Sequence, residues 1–252
     1  MRPTFKAKLG ERDKRLTCHM LTIPSATVAQ AVAASGADSI MVDLEHGAID
    51  HAAAQAMIAA TQGFDCAPLV RIPEISVTHV KRALDLGAEG ICFPLVRSVA
   101  DAELAVASLR YPPDGIRSFG PFVAQSRWGM EFAGYVRDIA PHMVCMLLIE
   151  TVEAVACVEK ICAGPGIDLI VPARFDLSCA LGKPGQFDDP EFLDMVARVE
   201  RAATAAGIPL GQVCRSRADA EAHFGKGYRV IAGFDLLWLR AAAEEMQGWT
   251  RR

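Results

Sequence analysis

Eight short apolar runs recur along the chain, and helix-like segments separate them. The runs are L-T-C-H-M-L (16–21), S-I-M-V-D-L (39–44), A-P-L-V-R-I (67–72), G-I-C-F-P-L-V (90–96), M-V-C-M-L-L-I-E (143–150), I-D-L-I-V-P-A (167–173), I-P-L-G-Q-V (208–213) and R-V-I-A-G (229–233). Most lack polar/apolar alternation, so both faces of each strand must be covered, as in a parallel sheet packed under helices.

The intervening segments carry matching start and stop signals. Ser25 precedes A-T-V-A-Q-A-V-A-A-S, which stops at Gly36; Ser76 precedes V-T-H-V-K-R-A-L-D-L, which stops at Gly87. Thr151 opens a helix that runs to Gly164, and P-E-F-L-D-M-V-A-R-V-E-R-A-A-T-A-A runs to Gly207. A polar N-cap followed by a terminal glycine is the expected helix punctuation, because glycine enters left-handed backbone cheaply. Strand and helix alternate without a linker-like stretch over 252 residues, which predicts a closed (β/α)8 TIM barrel, one α/β domain spanning 1–252. An open doubly wound sheet is the alternative. No G-x-G-x-x-G follows the first strand, so that fold's usual dinucleotide site is missing. One connection is unusually long and Gly/Pro-rich, Y-P-P-D-G-I-R-S-F-G-P-F-V-A-Q-S-R-W-G from residue 111. It reads either as a surface excursion or as a lid over the active site.

Composition narrows the partners. The net charge of −4 comes without any Lys/Arg-rich run or basic-aromatic stripe, which argues against nucleic acid. The eight cysteines contain no C-x-x-C pair and lie mostly in apolar segments, as reduced thiols used for packing would. The charged start M-R-P-T-F-K-A-K-L-G-E-R-D-K-R has no signal core, and no apolar run approaches the ~20 residues of a membrane span. A cytoplasmic location without membrane contact is expected.

In barrel enzymes the reacting groups stand at the C-terminal ends of the strands. Here those ends offer Asp43, Glu45 and His46 (V-D-L-E-H-G), Arg71, Glu150 and Asp176. Each has a plainer reading: Glu150 precedes the capping Thr151, and Asp176 could form an Asx turn. Arg71 lies in an apolar strand where an unpaired guanidinium is costly, so it meets an anion, either a structural carboxylate or a substrate. His46 is the histidine flanked by acids at a strand end, whereas His19 reads as a packing residue. Together the set suits a divalent metal that holds and polarises an oxyanion. The seven lysines fall on tails, helices or turns, with Lys183 the marginal exception, so imine chemistry is disfavoured.

The ordered series V-D-L-E-H-G, P-L-V-R-I-P, L-D-L-G-A-E-G-I-C-F-P, R-Y-P-P-D-G-I-R-S-F-G, I-E-T-V-E-A and F-D-L-S-C-A-L-G resembles the HpcH/HpaI aldolases, metal-dependent class II pyruvate aldolases. The resemblance runs from about residue 17 to 235. It implies Mg²⁺, Mn²⁺ or Co²⁺ held by Glu150 and Asp176, with a 2-oxo acid and an aldehyde as substrates. It also implies acid/base work by His46, oriented by Asp43, and an enolate oxygen steadied by Arg71. Ala173, Arg174, Phe175 and Val213 would line the substrate site. Glu45 is left as a structural or outlying carboxylate. A homo-oligomer, trimer or hexamer, is implied too, with the last helix (A-A-A-E-E-M-Q-G-W-T) exchanged between subunits.

Several positions depart from the family pattern. Ala173-Arg174-Phe175-Asp176 replaces G-P-A-D or G-P-N-D, Leu148 stands where glutamine is common, Met20 where tryptophan is, and Ser118 where R-G is usual. Such changes fit retained enolate chemistry on an altered substrate. A 2-oxo acid decarboxylase, an acyl-CoA lyase or a non-catalytic 2-oxo acid binder are the alternatives.

Overall fold

The computed structural model describes residues 4–250, so the first three and last two residues of the expected 1–252 domain lie outside the described residues. All eight apolar runs form strands: β1 Leu16–Leu21, β2 Ser39–Asp43, β3 Ala67–Arg71, β4 Gly90–Phe93, β5 Val144–Ile149, β6 Leu169–Pro172, β7 Gly211–Val213 and β8 Val230–Phe234. They make one parallel sheet in the order β6-β5-β4-β3-β2-β1-β8-β7. A parallel bridge between Ile170 and Leu210 joins β6 to β7 and closes the barrel. The closed (β/α)8 architecture is the expected one, and the open sheet is excluded.

Two apolar layers follow from the strand alternation. One lies between strands and helices, with Ile40, Val42, Val70, Ile91, Phe93, Leu147 and Ile149 buried in it. The other fills the barrel and contains Cys18, Met20, Met41, Leu69, Cys92, Met146, Leu148 and Leu169. Phe5 and Leu9, on the first helix (Phe5–Gly10), belong to that inner layer. Glu89, just before β4, accepts the backbone N–H groups of Thr4 and Phe5 and fixes this helix at the N-terminal end of the strands.

The helix punctuation is mostly as expected. Ser25 accepts from the Val28 N–H, and Gly36, Gly87 and Gly207 take left-handed backbone. Ser76 holds the N-cap position of Val77–Asp85 without a side-chain cap bond, and Gly164 is extended. The helix expected from Thr151 to Gly164 is two helices, Val152–Ala156 and Val158–Ala163. At the break Arg198 takes the Ala156 carbonyl at 3.0 Å, replacing an intrahelical donor.

The long excursion after residue 110 is not a lid over this chain's own strand ends. Its Arg117 binds Asp85 at 2.7 Å, and its Arg127 donates to the Ile58 carbonyl and the Thr61 hydroxyl, each at 2.8 Å. Those partners end the helices His51–Ala59 and Val77–Asp85, which run down to the N-terminal end of the barrel. The last helix, Asp235–Gly248, is tied at its start: Asp235 accepts the N–H groups of Thr22 at 2.8 Å and Ile23 at 2.9 Å. Beyond that point it leaves the barrel, and Leu236, Leu239, Met246 and Trp249 are exposed.

Candidate active site

Asp43 and Arg71 are register partners at the ends of β2 and β3, so their side chains emerge on the same side of the sheet. The Arg71 Nε donates to Asp43 Oδ1 at 2.9 Å, and Nη2 to Oδ2 at 2.7 Å. Asp43 is fully buried, and its Oδ1 also accepts the N–H groups of Glu45 and His46, forming an Asx turn that bends the chain off the strand. The third guanidinium nitrogen, Nη1, lies 3.2 Å from Glu45 Oε2. Burial alone would lower the Arg71 pKa, but the Asp43 carboxylate more than reverses it, and the guanidinium stays charged.

His46 stands apart from this pair. Its side chain is 70% exposed, and its Nε2 lies 3.8 Å from Glu45 Oε2. The sequence reading has Asp43 orienting the imidazole; in the structure the Asp43 oxygens serve Arg71 and two backbone amides, and the neighbouring carboxylate is Glu45. That correction follows from Arg71, whose fork claims both oxygens of its register partner. Glu45 thus gains a place the sequence left open: it bridges the guanidinium and the imidazole.

Glu150 follows β5 and is 8% exposed. Burial pushes its carboxyl above the usual range, and the negative charges of Asp176 and Glu45 add to the push, while the Leu95 N–H and Arg71 oppose it. The Leu95 amide donates to Glu150 Oε1, and Leu95 is the one non-glycine with left-handed backbone (φ 55°) among the described residues. A side chain in that region is disfavoured, so the backbone strain there is spent aiming an N–H at the carboxylate. No sequence signal marks Leu95.

Asp176 occupies the first turn of helix Arg174–Ala180 and is solvent-exposed, not buried in an Asx turn. Ala173 is the N-cap. The Arg174 guanidinium turns away from the mouth and lies over Phe192 (5.0 Å) and Phe187 (5.5 Å). Phe175 is 59% exposed and meets Phe187 edge-on at 6.3 Å. Neither bulky side chain therefore fills the space between Glu150 and Asp176.

A cavity of about 630 Å³ opens at this end of the barrel, lined at its mouth by Arg71, Glu150, Ala173, Phe175, Asp176 and Val213. Arg174, Gln212, Arg215, Asp219, His223 and Lys226 line it as well. Met20 and Leu148, two of the departures from the family pattern, also line it, whereas His46 and Asp43 do not. Lys183 is paired with Asp189 and Glu191 at 2.9 and 3.0 Å, so it is not free for imine chemistry. The donor set at the mouth is all carboxylate oxygen, and Glu45 and Glu150, raised by burial and further by the nearby Asp176 charge, are the electrostatic signature of a place for a cation. The residues present fit a hard divalent metal. Elsewhere, Cys214, Asp219 and His223 form a three-donor cluster, in which His223 Nδ1 lies 2.9 Å from the Asp219 carbonyl.

Fold and site define a (β/α)8 barrel enzyme whose mouth is built from carboxylates around a half-buried arginine. The HpcH/HpaI aldolase/citrate lyase family profile matches residues 19–242, and the chain belongs to that family. It is 32% identical over 229 residues to a hydroxypyruvate/pyruvate aldolase of Rhizorhabdus wittichii, covering 90% of each chain. It is 31% identical over 223 residues to a 2-dehydro-3,6-dideoxy-6-sulfogluconate aldolase of Pseudomonas putida, covering 88% of this chain and 87% of that one. An HpcH/HpaI aldolase/citrate lyase family protein of Burkholderia cenocepacia superposes with a TM-score of 0.90 at 29% identity, covering 99% of this chain and 100% of the other.

Proposed function

We propose that the protein is a metal-dependent class II aldolase that makes and cleaves 4-hydroxy-2-oxo acids through the enolate of pyruvate or a related 2-oxo acid. The observation that carries this reading is the meeting of Glu150, Asp176 and Arg71 at one cavity mouth. Glu150 and Asp176 would hold Mg²⁺, Mn²⁺ or Co²⁺, which stabilises the negative charge that develops on a keto oxygen. Arg71, kept charged and oriented by Asp43 and Glu45, directs a fixed positive group at the same oxygen without reorganising during the reaction. His46, at the rim beside Glu45, would take a proton from the carbon next to the ketone. After the enolate carbon bonds to the aldehyde carbon, His46 returns that proton to the new alkoxide. Ala173, Phe175 and Val213 line the substrate space, and Arg174 acts from behind it.

The oligomer belongs to the same reading. The final helix exposes Leu236, Leu237, Leu239, Met246 and Trp249, and beside it a cleft of about 400 Å³ lies open between β1, β8 and helix Arg217–Gly225. An exchanged helix in a trimer or hexamer would cover both surfaces. The eight unpaired thiols support a reducing cytoplasm, and no helix is long and apolar enough to cross a membrane. One sheet that takes in all eight strands supports treating 1–252 as one functional domain.

Proton exchange tests the reading. Pyruvate methyl protons should exchange into deuterated water when Mg²⁺ or Mn²⁺ is supplied and stop exchanging under a chelator. Exchange that persists without metal, or is absent with every metal, overturns it.

A further inference from the structure

Away from the carboxylate mouth, three side chains of different donor chemistry meet at the end of β7. Cys214 directly follows that strand, and its N–H donates to the Ala232 carbonyl at 2.8 Å, which fixes the turn against β8. Asp219 and His223 are four residues apart on helix Arg217–Gly225 and share one face of it. One donor atom from each of the three lies within 4.8 Å of the others.

Their separations suit ligands around one ion. His223 Nδ1 lies 3.1 Å from Asp219 Oδ1 and 3.9 Å from Cys214 Sγ. A tetrahedral zinc ion, about 2.3 Å from sulfur and about 2.0–2.1 Å from nitrogen or oxygen, holds its ligand atoms about 3.3–3.6 Å apart. The two observed separations bracket that range. The rest of each group is already placed. The Arg215 N–H donates to Asp219 Oδ2 at 3.0 Å, which leaves Oδ1 to the cluster, and Tyr228 meets the His223 ring edge-on at 5.0 Å. The thiol has no short partner, since its contact with the Gln212 carbonyl is 3.8 Å long. The cluster is reachable from two sides: Asp219 and His223 line the large cavity, and Cys214 lines the cleft beside the last helix.

Burial, and after it the Asp219 charge, push the Cys214 thiol up to about 11, so without a cation the sulfur keeps its proton. A divalent cation reverses that balance, and the thiol proton goes to solvent. Nδ1, which lies 2.9 Å from the Asp219 carbonyl, binds with the ring hydrogen on Nε2. Thiolate, carboxylate and neutral imidazole then cancel the charge of the ion. Sulfur and nitrogen donors favour zinc-like ions, whereas the all-oxygen mouth suits Mg²⁺ or Mn²⁺.

We propose that Cys214, Asp219 and His223 form a second, separate metal site, selective for zinc-like ions, that clamps the start of helix Arg217–Gly225 to the end of β7. Val213 and Arg215, on either side of Cys214, line the large cavity, so the ion holds part of its wall in place. The site does not depend on the aldolase reading.

Co²⁺ is the probe, because a thiolate ligand gives it a near-ultraviolet charge-transfer band that oxygen ligands do not. Titrated into the metal-free full chain with a phosphine reductant, Co²⁺ should produce that band and the strong visible bands of four-coordination. Zn²⁺ at equal concentration should bleach them, and Mg²⁺ in about hundredfold excess should not. Cys214→Ser should abolish the charge-transfer band, Asp219→Asn should weaken Co²⁺ binding by about tenfold or more, and Glu150→Gln at the mouth should leave the band unchanged. A wild-type protein without the thiolate band overturns the proposal, as does a band that survives Cys214→Ser or disappears in Glu150→Gln. Should Cys214→Ser not fold, Co²⁺ binding as tight in Asp219→Asn as in wild type overturns it instead. Failure of the aldolase reading shows separately, as absent pyruvate proton exchange in a protein that keeps the band.

Discussion

Arg71 and Asp43 face each other across β3 and β2 and are joined by two hydrogen bonds, Nε to Oδ1 at 2.9 Å and Nη2 to Oδ2 at 2.7 Å. Asp43 has no access to water at all, while Arg71 keeps partial exposure at the cavity mouth. Removing the Asp43 charge leaves Arg71 with Glu45 as its anion and costs the charged hydrogen bonds, about 1.5–3 kcal/mol. Asp43→Asn should therefore lower the unfolding free energy by an amount in that range, read by chemical denaturation. Arg71→Lys should lose the two-point contact and slow pyruvate proton exchange by more than tenfold, because an ammonium cannot hold both oxygens and still face the mouth.

His46 and Glu45 separate proton transfer from cation binding. His46→Ala should slow methyl-proton exchange by about 10²–10⁴-fold and change Mn²⁺ affinity by less than about threefold, since the imidazole is no part of the carboxylate set. Glu45→Gln should also slow exchange, by removing the anion beside the imidazole and the third contact of Arg71. Equal losses of exchange and metal affinity in His46→Ala would contradict its assigned role.

Much of this was legible in the residues, and the remainder has physical reasons for being hidden. Parallel strands covered on both faces must be apolar throughout, so all eight appear as runs in the sequence. Strand ends were equally visible, which is why Arg71, Glu150 and Asp176 could be gathered from distant segments. Direction was not visible. Arg174 and Phe175 are adjacent to Asp176 in sequence, yet the guanidinium leaves for Phe187 and Phe192, a choice made by residues a dozen or more positions away. The Asp43 carboxylate went to Arg71 and not to His46, because register across strands outranks proximity along the chain. The left-handed Leu95 leaves no pattern, because it is a backbone angle and not a residue type.

Cation binding should be visible as stability. Burial and the neighbouring acids raise the Glu150 pKa, so the ionised carboxylate is unfavourable until a cation meets it. Mg²⁺ or Mn²⁺ should raise the Tm of the wild-type protein with a concentration dependence that follows its affinity. Glu150→Gln should melt higher than wild type without metal and lose at least tenfold in metal affinity. Asp176→Asn should lose the affinity without the same gain, because Asp176 is already in solvent. Thermal scans across a metal titration read both effects.

His19 should make the fold acid-sensitive. Its ring packs edge-on to Trp238 at 4.8 Å, and its Nδ1 is buried without a hydrogen-bond partner. Burial holds its pKa below the usual 6.5, with Asp38 opposing in part. The unfolded chain thus takes up a proton at a higher pH than the fold does. The stability contributed by neutral His19 is complete above the unfolded value and is lost as the pH falls towards the folded one. The raised carboxyls Glu45 and Glu150 act in the other direction, weakening the fold as pH rises, so a variant comparison isolates the histidine. His19→Phe should narrow the Tm difference between about pH 7 and pH 5 relative to wild type. An unchanged difference would place the acid response elsewhere.

The last helix supplies a test of assembly. Leu236 and Leu239 are three residues apart on Asp235–Gly248, each more than half exposed, while Asp235 anchors the helix start to Thr22 and Ile23. A charge placed on the free part of that helix should leave the anchor intact and oppose any apolar contact it makes with another copy. If the proposed exchange of this helix forms an oligomer, Leu239→Asp combined with Met246→Asp should convert it to a monomer, measured by light scattering on a sizing column. Far-ultraviolet circular dichroism should stay unchanged, because neither side chain supports the barrel. A wild-type protein that is monomeric at micromolar concentration would remove the exchanged helix from the account and leave its apolar side chains without an explanation.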